Sequence, residues 1–306
     1  MSSSRRPLLL ERLASLDQAA RLLPDPTVLL NAATLFEAQA SSEIENIVTT
    51  ADELFRSSVS DEAGNYATKE ALRYRSALYE GVAALSRRPL TFGAAEDACS
   101  RIKDVDMTIR QMPGTRIANP TTRQIMYAPP EGHEVIRDKL KNWEQFLHDD
   151  SNDLDPLVRM AIAHYQFEAI HPFHDGNGRT GRVVNILALV EEGLIAEPVL
   201  YLSRYLIRHK SEYYRLLNAV TSEAAWQDWI LYMLRAVELT ARSTLVKIAG
   251  IRAVQEEVSN QARAVSRGGR DAAFLSLLFE QPYTRIKTVV ERCEVSRPTA
   301  TSWLAG

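Results

Sequence analysis

The sequence predicts a mainly α-helical protein: a helical bundle with one short β-hairpin, an N-terminal helical region and a C-terminal helix-turn-helix unit. Three observations predict this class. Apolar residues recur at helical spacing along most of the 306 residues. A single segment, residues 112–132, alternates Gly, Pro and Asn with short apolar runs, as hairpins do. The composition, 45% hydrophobic and 25% charged, is that of a protein able to bury a large core.

The first part of the chain consists of predicted helices, and we assign residues 1–105 to an N-terminal helical region. A Pro24-Asp25-Pro26 break separates the first two helices, because proline interrupts helical hydrogen bonding. The predicted helices of this part cover residues 8–23, 27–40, 66–86 and 93–112.

The hairpin follows, with a predicted turn at Asn119–Thr122 and a second strand around residues 123–127. Helical patterns then resume at residues 133–148 and 156–169. Asp155 is a predicted N-cap, and Pro156 occupies the first helical position, where its missing N–H costs nothing.

Two apolar helices enclose a polar loop. PLVRMAIAHYQFEA, at 156–169, is apolar almost all round, and the segment 179–193 behaves the same way and closes at Gly193. The intervening HPFHDGNGRTGR, residues 171–182, therefore predicts a functional loop on a buried scaffold, within a core domain at 106–245.

The residue types in this loop suit a polyphosphate. Gly176-Asn177-Gly178 allows backbone N–H groups to converge on anionic oxygens at a helix start near Arg179. Arg179 and Arg182 are three residues apart and predict a bidentate grip. Asp175 offers an oxygen ligand to Mg²⁺, and His171 can accept a proton near neutral pH. Taken singly, each residue also has a structural explanation, such as a turn, a cap or an ion pair.

The C-terminal part is basic. Residues 242–306 contain ten Lys or Arg against six Asp or Glu, although the whole chain has a net charge of −3. We interpret 246–270 as a helix with a linker at residues 266–270, and 271–306 as three short helices of a helix-turn-helix type, the third capped by Ser296. Its charge predicts nucleic-acid contact or, equally, a solvated helical face.

Targeting signals are not apparent in the sequence. No apolar run approaches a membrane span, and MSSSRRPLLLERL has too short an apolar stretch for a secretory signal. Cys99 and Cys293 match no metal or redox spacing, so we expect reduced thiols in a cytoplasmic protein without membrane contact.

The loop resembles the signature of the Fic family, H-x-F-x-D/E-G-N-G-R-x-x-R, at every defined position. The resemblance covers residues 110–240, and the tail is similar to the winged-helix appendage of some Fic proteins. It implies a Fic-type helical bundle and a protein adenylyltransferase, which moves AMP from ATP to a Ser, Thr or Tyr hydroxyl of a target protein.

The resemblance also implies residue roles. His171 would be the base, Phe173 a core anchor, and Asp175 the Mg²⁺ ligand. The rest of the loop would bind the ATP phosphates through Gly176, Asn177, Gly178, Arg179, Thr180, Gly181 and Arg182.

Outside the loop, the resemblance makes the hairpin a flap for an extended target segment, with Ile117 facing the site. Tyr213 falls where relatives place an adenine-contacting tyrosine, and Thr221 lies nearby in the sequence. Ordinary helix packing explains Tyr213 equally well.

A family-type inhibitory segment, S/T-x-x-x-E-G/N, is present at 41–46 as SSEIEN, with Ser41, Glu45 and Asn46 at its defined positions. Glu45 would pair with Arg182 and occupy the guanidinium that the γ-phosphate needs. The competing interpretation is local, because Ser42 and Glu45 also match a capping box at a helix start.

Other functions stay open. Some relatives transfer phosphate or phosphocholine, although the retained Gly178 favours AMP transfer, and Glu45 could instead assist AMP removal. A DNA-binding regulator is the alternative from another class, with Arg297 and Thr299 at the start of a recognition helix. Because the chain ends at Gly306, where a wing would begin, the tail could also be truncated, or serve protein contacts or homodimer formation.

Overall fold

The computed structural model describes residues 5–23, 26–59, 64–118, 125–149, 151, 153–265, 268–280 and 283–305. Within these ranges the protein is mainly α-helical, as the sequence predicts, with one antiparallel strand pair. The helices are α1 (Arg5–Arg21), α2 (Thr27–Ile44), α3 (Ala51–Val59), α4 (Tyr66–Leu85), α5 (Phe92–Lys103), α6 (His133–Leu147), α7 (Pro156–Ile170), α8 (Asn177–Glu191), α9 (Ser203–Arg208), α10 (Lys210–Glu223), α11 (Trp226–Val265), α12 (Ala272–Glu280), α13 (Ile286–Cys293) and α14 (Arg297–Ala305). The strands are β1 (Ile117–Ala118) and β2 (Ile125–Tyr127).

The predicted helix over 93–112 is wrong in its second half. α5 ends at Lys103, and Asp104 follows in a left-handed conformation with φ of 60°. Met107 and Ile109 are nevertheless buried, so their apolar spacing reflects packing of an extended segment against the core. This segment then reaches the functional loop, where the backbone N–H of Arg110 donates to the carbonyl of Pro172.

The central pair α7 and α8 is buried as the sequence predicts. Asp155 caps α7 by accepting from the N–H of Leu157 at 2.9 Å, and most residues of α8 are inaccessible. Trp143 and Trp229 pack around α7 and donate their indole N–H groups to the carbonyls of Ala163 and Ala161. These bonds satisfy the polar edge of each large apolar side chain, as buried tryptophan requires.

The hairpin is confirmed by the pairing of Ile117 with Tyr127. The Tyr127 hydroxyl donates to the carbonyl of Ala169 at 2.8 Å, which ties β2 to the last turn of α7 beside the loop. The predicted turn at Asn119–Thr122 lies outside the described residues.

The last long helix joins the predicted core domain to the segment before the predicted linker. α11 is continuous from Trp226 to Val265 and therefore crosses the expected boundary between 245 and 246. The three predicted C-terminal helices are present as α12, α13 and α14, with a small core of their own around Phe274, Leu277 and Val289. The Ser296 hydroxyl accepts from the N–H of Thr299, which confirms its capping position. None of the helices in the described ranges combines the length and apolar character that crossing a membrane requires.

Candidate active site

The loop between α7 and α8 is shaped by two residues with positive φ. His171 follows α7 with φ of 52°, and Gly176 precedes α8 with φ of 84°. A Cβ at Gly176 would lie 3.1 Å from Sγ of Cys99 on α5, so both the conformation and the close packing require glycine. The first N–H groups of α8, which have no acceptor within the helix, lie at the end of this loop, and such a helix start suits an anion.

Buried contacts hold the loop rigid. Phe173 is fully buried and stacks on Phe92 with ring centroids 5.7 Å apart, which agrees with the predicted anchor. The Asn177 side chain accepts from the N–H of Phe173 and donates to its carbonyl, both at 2.8 Å. The Asn177 amide thus closes the loop, and its backbone N–H lies at the start of α8, where the sequence predicts phosphate contact.

His171 is the candidate base. Its backbone carbonyl accepts from Nε of Arg110 at 2.8 Å, which fixes the residue at the end of α7. Burial lowers the pKa of His171 to about 4, although the backbone of Glu168 acts in the opposite direction. The imidazole is therefore neutral at pH 7, the form that can accept a proton.

Asp175 is half exposed, and two cations hold its carboxylate. Lys103 on α5 lies 2.6 Å from Oδ2, and Arg179 lies 3.3 Å from Oδ1. Partial burial acts to raise the pKa of Asp175, but the hydrogen bond and charge of Lys103 outweigh it and lower that pKa. Within the described ranges no three His, Cys, Asp or Glu side chains converge as metal ligands, so Asp175 fits Mg²⁺ only in the manner of a carboxylate that shares the ion with phosphates.

In this structure the two loop arginines pair with different carboxylates, Arg179 with Glu70 and Arg182 with Glu45. Arg179 is 2% exposed and contacts the fully buried Glu70 of α4 directly. Burial acts to raise the pKa of Glu70, but the charges of Arg179 and Lys103 outweigh it and lower that pKa. Arg179 therefore supports the loop from inside, and its guanidinium is already paired.

Arg182 is paired instead with the predicted inhibitory segment. Its Nη2 lies 2.9 Å from Oε1 of Glu45 and donates to the carbonyl of Ser41, while its Nε donates to the Ser41 hydroxyl at 2.8 Å. Burial acts to lower the pKa of Arg182, but the charge of Glu45 outweighs it and raises that pKa. A Cβ at Gly178 would lie 2.4 Å from Glu45 Oε1, so the glycine makes room for the carboxylate at the start of α8.

The capping-box interpretation of Ser42 and Glu45 is wrong. α2 ends at Ile44, so this segment lies at the C-terminal end of the helix and not at a helix start. The backbone N–H of Glu45 donates to the carbonyl of Ser42. Asn46 follows with φ of 62°, a common way to end a helix, and accepts from Nζ of Lys210 at 3.1 Å. Glu45 is therefore directed to α8 rather than back to its own helix.

The predicted site residues outside the loop differ in how far their side chains are exposed. Tyr213 is 1% exposed, and its hydroxyl bonds to Nε2 of His164, so it packs inside the helical core in this structure. Thr221 is exposed and bonds to the Tyr165 hydroxyl at 2.9 Å, and Ile117 is half-buried in β1.

Thr180 and Gly181 are both buried in the packing of α8 against its neighbours. A Cβ at Gly181 would lie 2.5 Å from Oε1 of Glu168 on α7. Gly181 therefore permits the close approach of α7 and α8.

Sequence reasoning missed three charged residues at the site. Glu168 could have been noticed as a lone carboxylate in an otherwise apolar helix, because charged side chains are seldom buried without a role. Glu70 and Lys103 gave no such signal, since each lies in an ordinary amphipathic helix and acquires its position only through the tertiary fold.

The fold and site define a class of helical protein. In this class, a loop that contains glycines precedes a helix whose N-terminus can bind an anion, and a segment from the N-terminal region contacts the start of that helix. The sequence matches three family models: "Fic/DOC family N-terminal" over 10–83, "Fic/DOC family" over 90–189, and "Protein adenylyltransferase SoFic-like, C-terminal domain" over 257–306. The chain belongs to the Fic/DOC family.

Similar curated proteins include Protein adenylyltransferase fic-1 of Caenorhabditis elegans, 37% identical over 90 residues, which are 29% of this chain and 16% of that protein. Protein adenylyltransferase Fic of Nematostella vectensis is 33% identical over 111 residues, 36% of this chain and 24% of its own length. The matches thus span less than a quarter of each of these relatives.

Solved structures share the fold. A Fic family protein from Desulfovibrio desulfuricans G20 superposes with a TM-score of 0.60 at 21% identity, covering 81% of this chain and 76% of that one. A segment of Fic-1 from Caenorhabditis elegans gives a TM-score of 0.58 at 20% identity, covering 82% and 74% of the two chains.

Proposed function

We propose that this protein is an autoinhibited protein adenylyltransferase, which moves AMP from ATP to a Ser, Thr or Tyr hydroxyl of a target protein and releases pyrophosphate. The observation that carries the proposal is the pairing of Glu45 with Arg182 at the start of α8. A buried guanidinium beside free helix N–H groups is a site for phosphate oxygens, and here a carboxylate of the same chain occupies it. The names of the curated relatives support the same reaction.

In this reaction the neutral His171 accepts the proton of the target hydroxyl while the hydroxyl oxygen attacks the α-phosphorus. The bond from the α-phosphorus to the bridging oxygen breaks, and pyrophosphate leaves with the bonding electrons. Positive charge around the phosphates lowers the barrier, because the leaving group carries most of the developing charge. Proton transfer to a positioned base adds about 10²–10⁴-fold.

Asp175 would hold Mg²⁺ together with the ATP phosphates, and the ion would supply charge neutralisation at the phosphate oxygens. The backbone N–H groups at Asn177 and Gly178 would bind phosphate oxygens at the start of α8. The half-exposed carboxylate of Asp175 suits this shared role.

The inhibition follows from electrostatics. While Glu45 neutralises Arg182, the γ-phosphate meets a carboxylate where it needs a cation, and ATP is held in an unproductive position. Releasing Glu45 frees one buried guanidinium, which would then pair with the phosphate.

The test compares Glu45→Gly with Glu43→Gly, because Glu43 is an exposed residue of the same helix end. We expect Glu45→Gly to raise auto-adenylylation from labelled ATP at least tenfold and Glu43→Gly to leave it unchanged, since a buried charged contact typically contributes more than about 1.4 kcal/mol. Adding His171→Ala to Glu45→Gly should abolish transfer, whereas His174→Ala, an exposed loop residue, should not. No gain from Glu45→Gly, or transfer that survives without His171, would contradict the proposal.

The target is best sought by mass spectrometry of cell extract incubated with ATP and the Glu45→Gly protein. A mass increase of one AMP on a hydroxyl residue would establish the reaction and the acceptor. An added phosphate or phosphocholine would point to another group transfer. Loss of AMP from a modified target in the wild-type protein would indicate the reverse activity.

A DNA-binding function is the second candidate, because Arg297 is exposed at the capped start of α14. Binding to duplex DNA that weakens steeply with salt, and that is lost in Arg297→Ala, would support it. We also propose a cytoplasmic protein, in which the two free thiols stay reduced.

A further inference from the structure

Four charged side chains form a cluster beneath the loop, which we call the Lys103 network: Glu70 of α4, Lys103 of α5, and Asp175 and Arg179 of the loop and α8. Glu70 is fully buried, Arg179 is 2% exposed and Lys103 13%, while Asp175 is 51% exposed. Three of the four thus lie inside the protein, and the carboxylate of Asp175 is the part that reaches solvent.

The network divides the two oxygens of Asp175 between two cations. Oδ1 lies 3.3 Å from Nη2 of Arg179, and Oδ2 lies 2.6 Å from Nζ of Lys103. Lys103 also lies 3.0 Å from Oε1 of Glu70, so its ammonium bridges the exposed and the buried carboxylate. A cation bound at Oδ2 of Asp175 would compete with this ammonium for the same lone pairs.

Lys103 has a second acceptor within the network toward which its ammonium can move, whereas Arg179 has none. Oε2 of Glu70 is buried and has no hydrogen-bond partner among the described residues. A buried acceptor without a donor carries a desolvation cost. The ammonium of Lys103 would remove this cost if it moved closer and donated a hydrogen bond to Oε2. Lysine carries a compact charge on a flexible stem and can make this shift, whereas the planar guanidinium of Arg179 is fixed against Glu70.

We propose that Lys103 is a positioning residue that holds Asp175 in the absence of Mg²⁺ and yields this carboxylate, by withdrawing toward Oε2 of Glu70, when Mg²⁺ and nucleotide bind. The inference rests on the proposed function, since it concerns the metal-binding carboxylate of that site. It predicts a competition: Lys103 keeps Asp175 correctly oriented but raises the Mg²⁺ concentration needed to fill the site.

The experiment measures binding rather than turnover. In the Glu45→Gly protein, a non-hydrolysable ATP analogue is titrated by calorimetry at a series of Mg²⁺ concentrations, with and without Lys103→Met. The control is Arg101→Met, which removes another α5 cation whose partner, Glu80, is exposed. We expect Lys103→Met to lower the half-saturating Mg²⁺ concentration about fivefold, the order set by a partly exposed ion pair, and Arg101→Met to leave it unchanged.

The opposite result would have a distinct meaning. If Lys103 instead contacts phosphate, Lys103→Met would raise the Mg²⁺ requirement or weaken the analogue at saturating Mg²⁺, and the proposal would be overturned. An unchanged Mg²⁺ dependence would overturn it too. Should Lys103→Met fail to fold, Lys103→Gln removes the charge while keeping a donor for Glu70, with the same expected decrease.

Binding of the analogue by the Glu45→Gly protein, in which Lys103 is intact, distinguishes a failure of this inference from a failure of the proposed function. If Glu45→Gly with intact Lys103 binds no analogue at any Mg²⁺ concentration, the nucleotide site itself is wrong. If it binds the analogue and only the effect of Lys103→Met is missing, the nucleotide site stands and the role of Lys103 is wrong.

Discussion

Glu168 illustrates how a single side chain can acquire unusual chemistry at this site. It lies on α7, its Oε1 is buried against α8 near Gly181, and burial raises its pKa to about 7. Arg182 lowers that pKa and Glu45 raises it, so the carboxylate of Glu45 favours the protonated form of Glu168. The ion pair between Glu45 and Arg182 therefore also affects a second acidic group nearby.

We predict a pH-dependent stability from Glu168. Its pKa in the folded protein, about 7, lies above the ordinary value of 4.5, so its contribution is complete below pH 4.5 and is lost as the pH rises through 7. Relative to Glu168→Gln, the wild-type free energy of unfolding should fall by about 2 kcal/mol between pH 5 and pH 8. Urea unfolding of both proteins at the two pH values measures this, and parallel pH profiles would contradict it.

Among the elements, the α7–loop–α8 unit depends on the side chain of a residue that the sequence analysis placed in the phosphate-binding loop. Asn177 is 2% exposed, and its amide satisfies both backbone polar groups of Phe173. These two bonds set the distance between the end of α7 and the start of α8, and hence the placement of His171 beside the helix N-terminus. The motif asparagine is thus first of all a structural residue.

We predict that Asn177→Ala lowers the free energy of unfolding by about 2–4 kcal/mol, because it leaves a buried N–H and a buried carbonyl unpaired. Asn142→Ala is the matched control, since its side chain accepts an exposed bond from Gln166 between α6 and α7. Its cost should stay below about 1 kcal/mol. Equal losses in chemical denaturation would argue against the buried role of Asn177.

At the scale of the whole molecule, the N-terminal region contributes side chains to the candidate active site. α2 supplies Ser41 and, at its end, Glu45 to Arg182, and α4 supplies Glu70 to Arg179. The same region contacts the C-terminal unit, where the side-chain amide of Asn31 donates to the carbonyl of Glu280. The site thus depends on segments more than a hundred residues away in the sequence.

We predict that Glu70→Ala destabilises the protein by about 3–5 kcal/mol, because it strands the buried charge of Arg179. The comparison is Arg12→Ala, which breaks a partly exposed ion pair with Glu238 between α1 and α11 and should cost at most about 1 kcal/mol. Thermal unfolding of the two variants measures the difference. A Glu70→Ala protein as stable as Arg12→Ala would show that Arg179 finds another partner.

The sequence by itself determined the helical class and the two buried helices around HPFHDGNGRTGR, and the resemblance to the Fic family implied the pairing of Glu45 with Arg182. Helical periodicity, proline and glycine positions and the family signature are all local in the chain, so they can be read without coordinates. The tertiary structure alone decided that Asn177 closes the loop, that Tyr213 is buried, and that Arg179 and Lys103 share Glu70. Those outcomes depend on side chains brought together from distant helices, where burial makes each polar group take the nearest partner that the fold supplies.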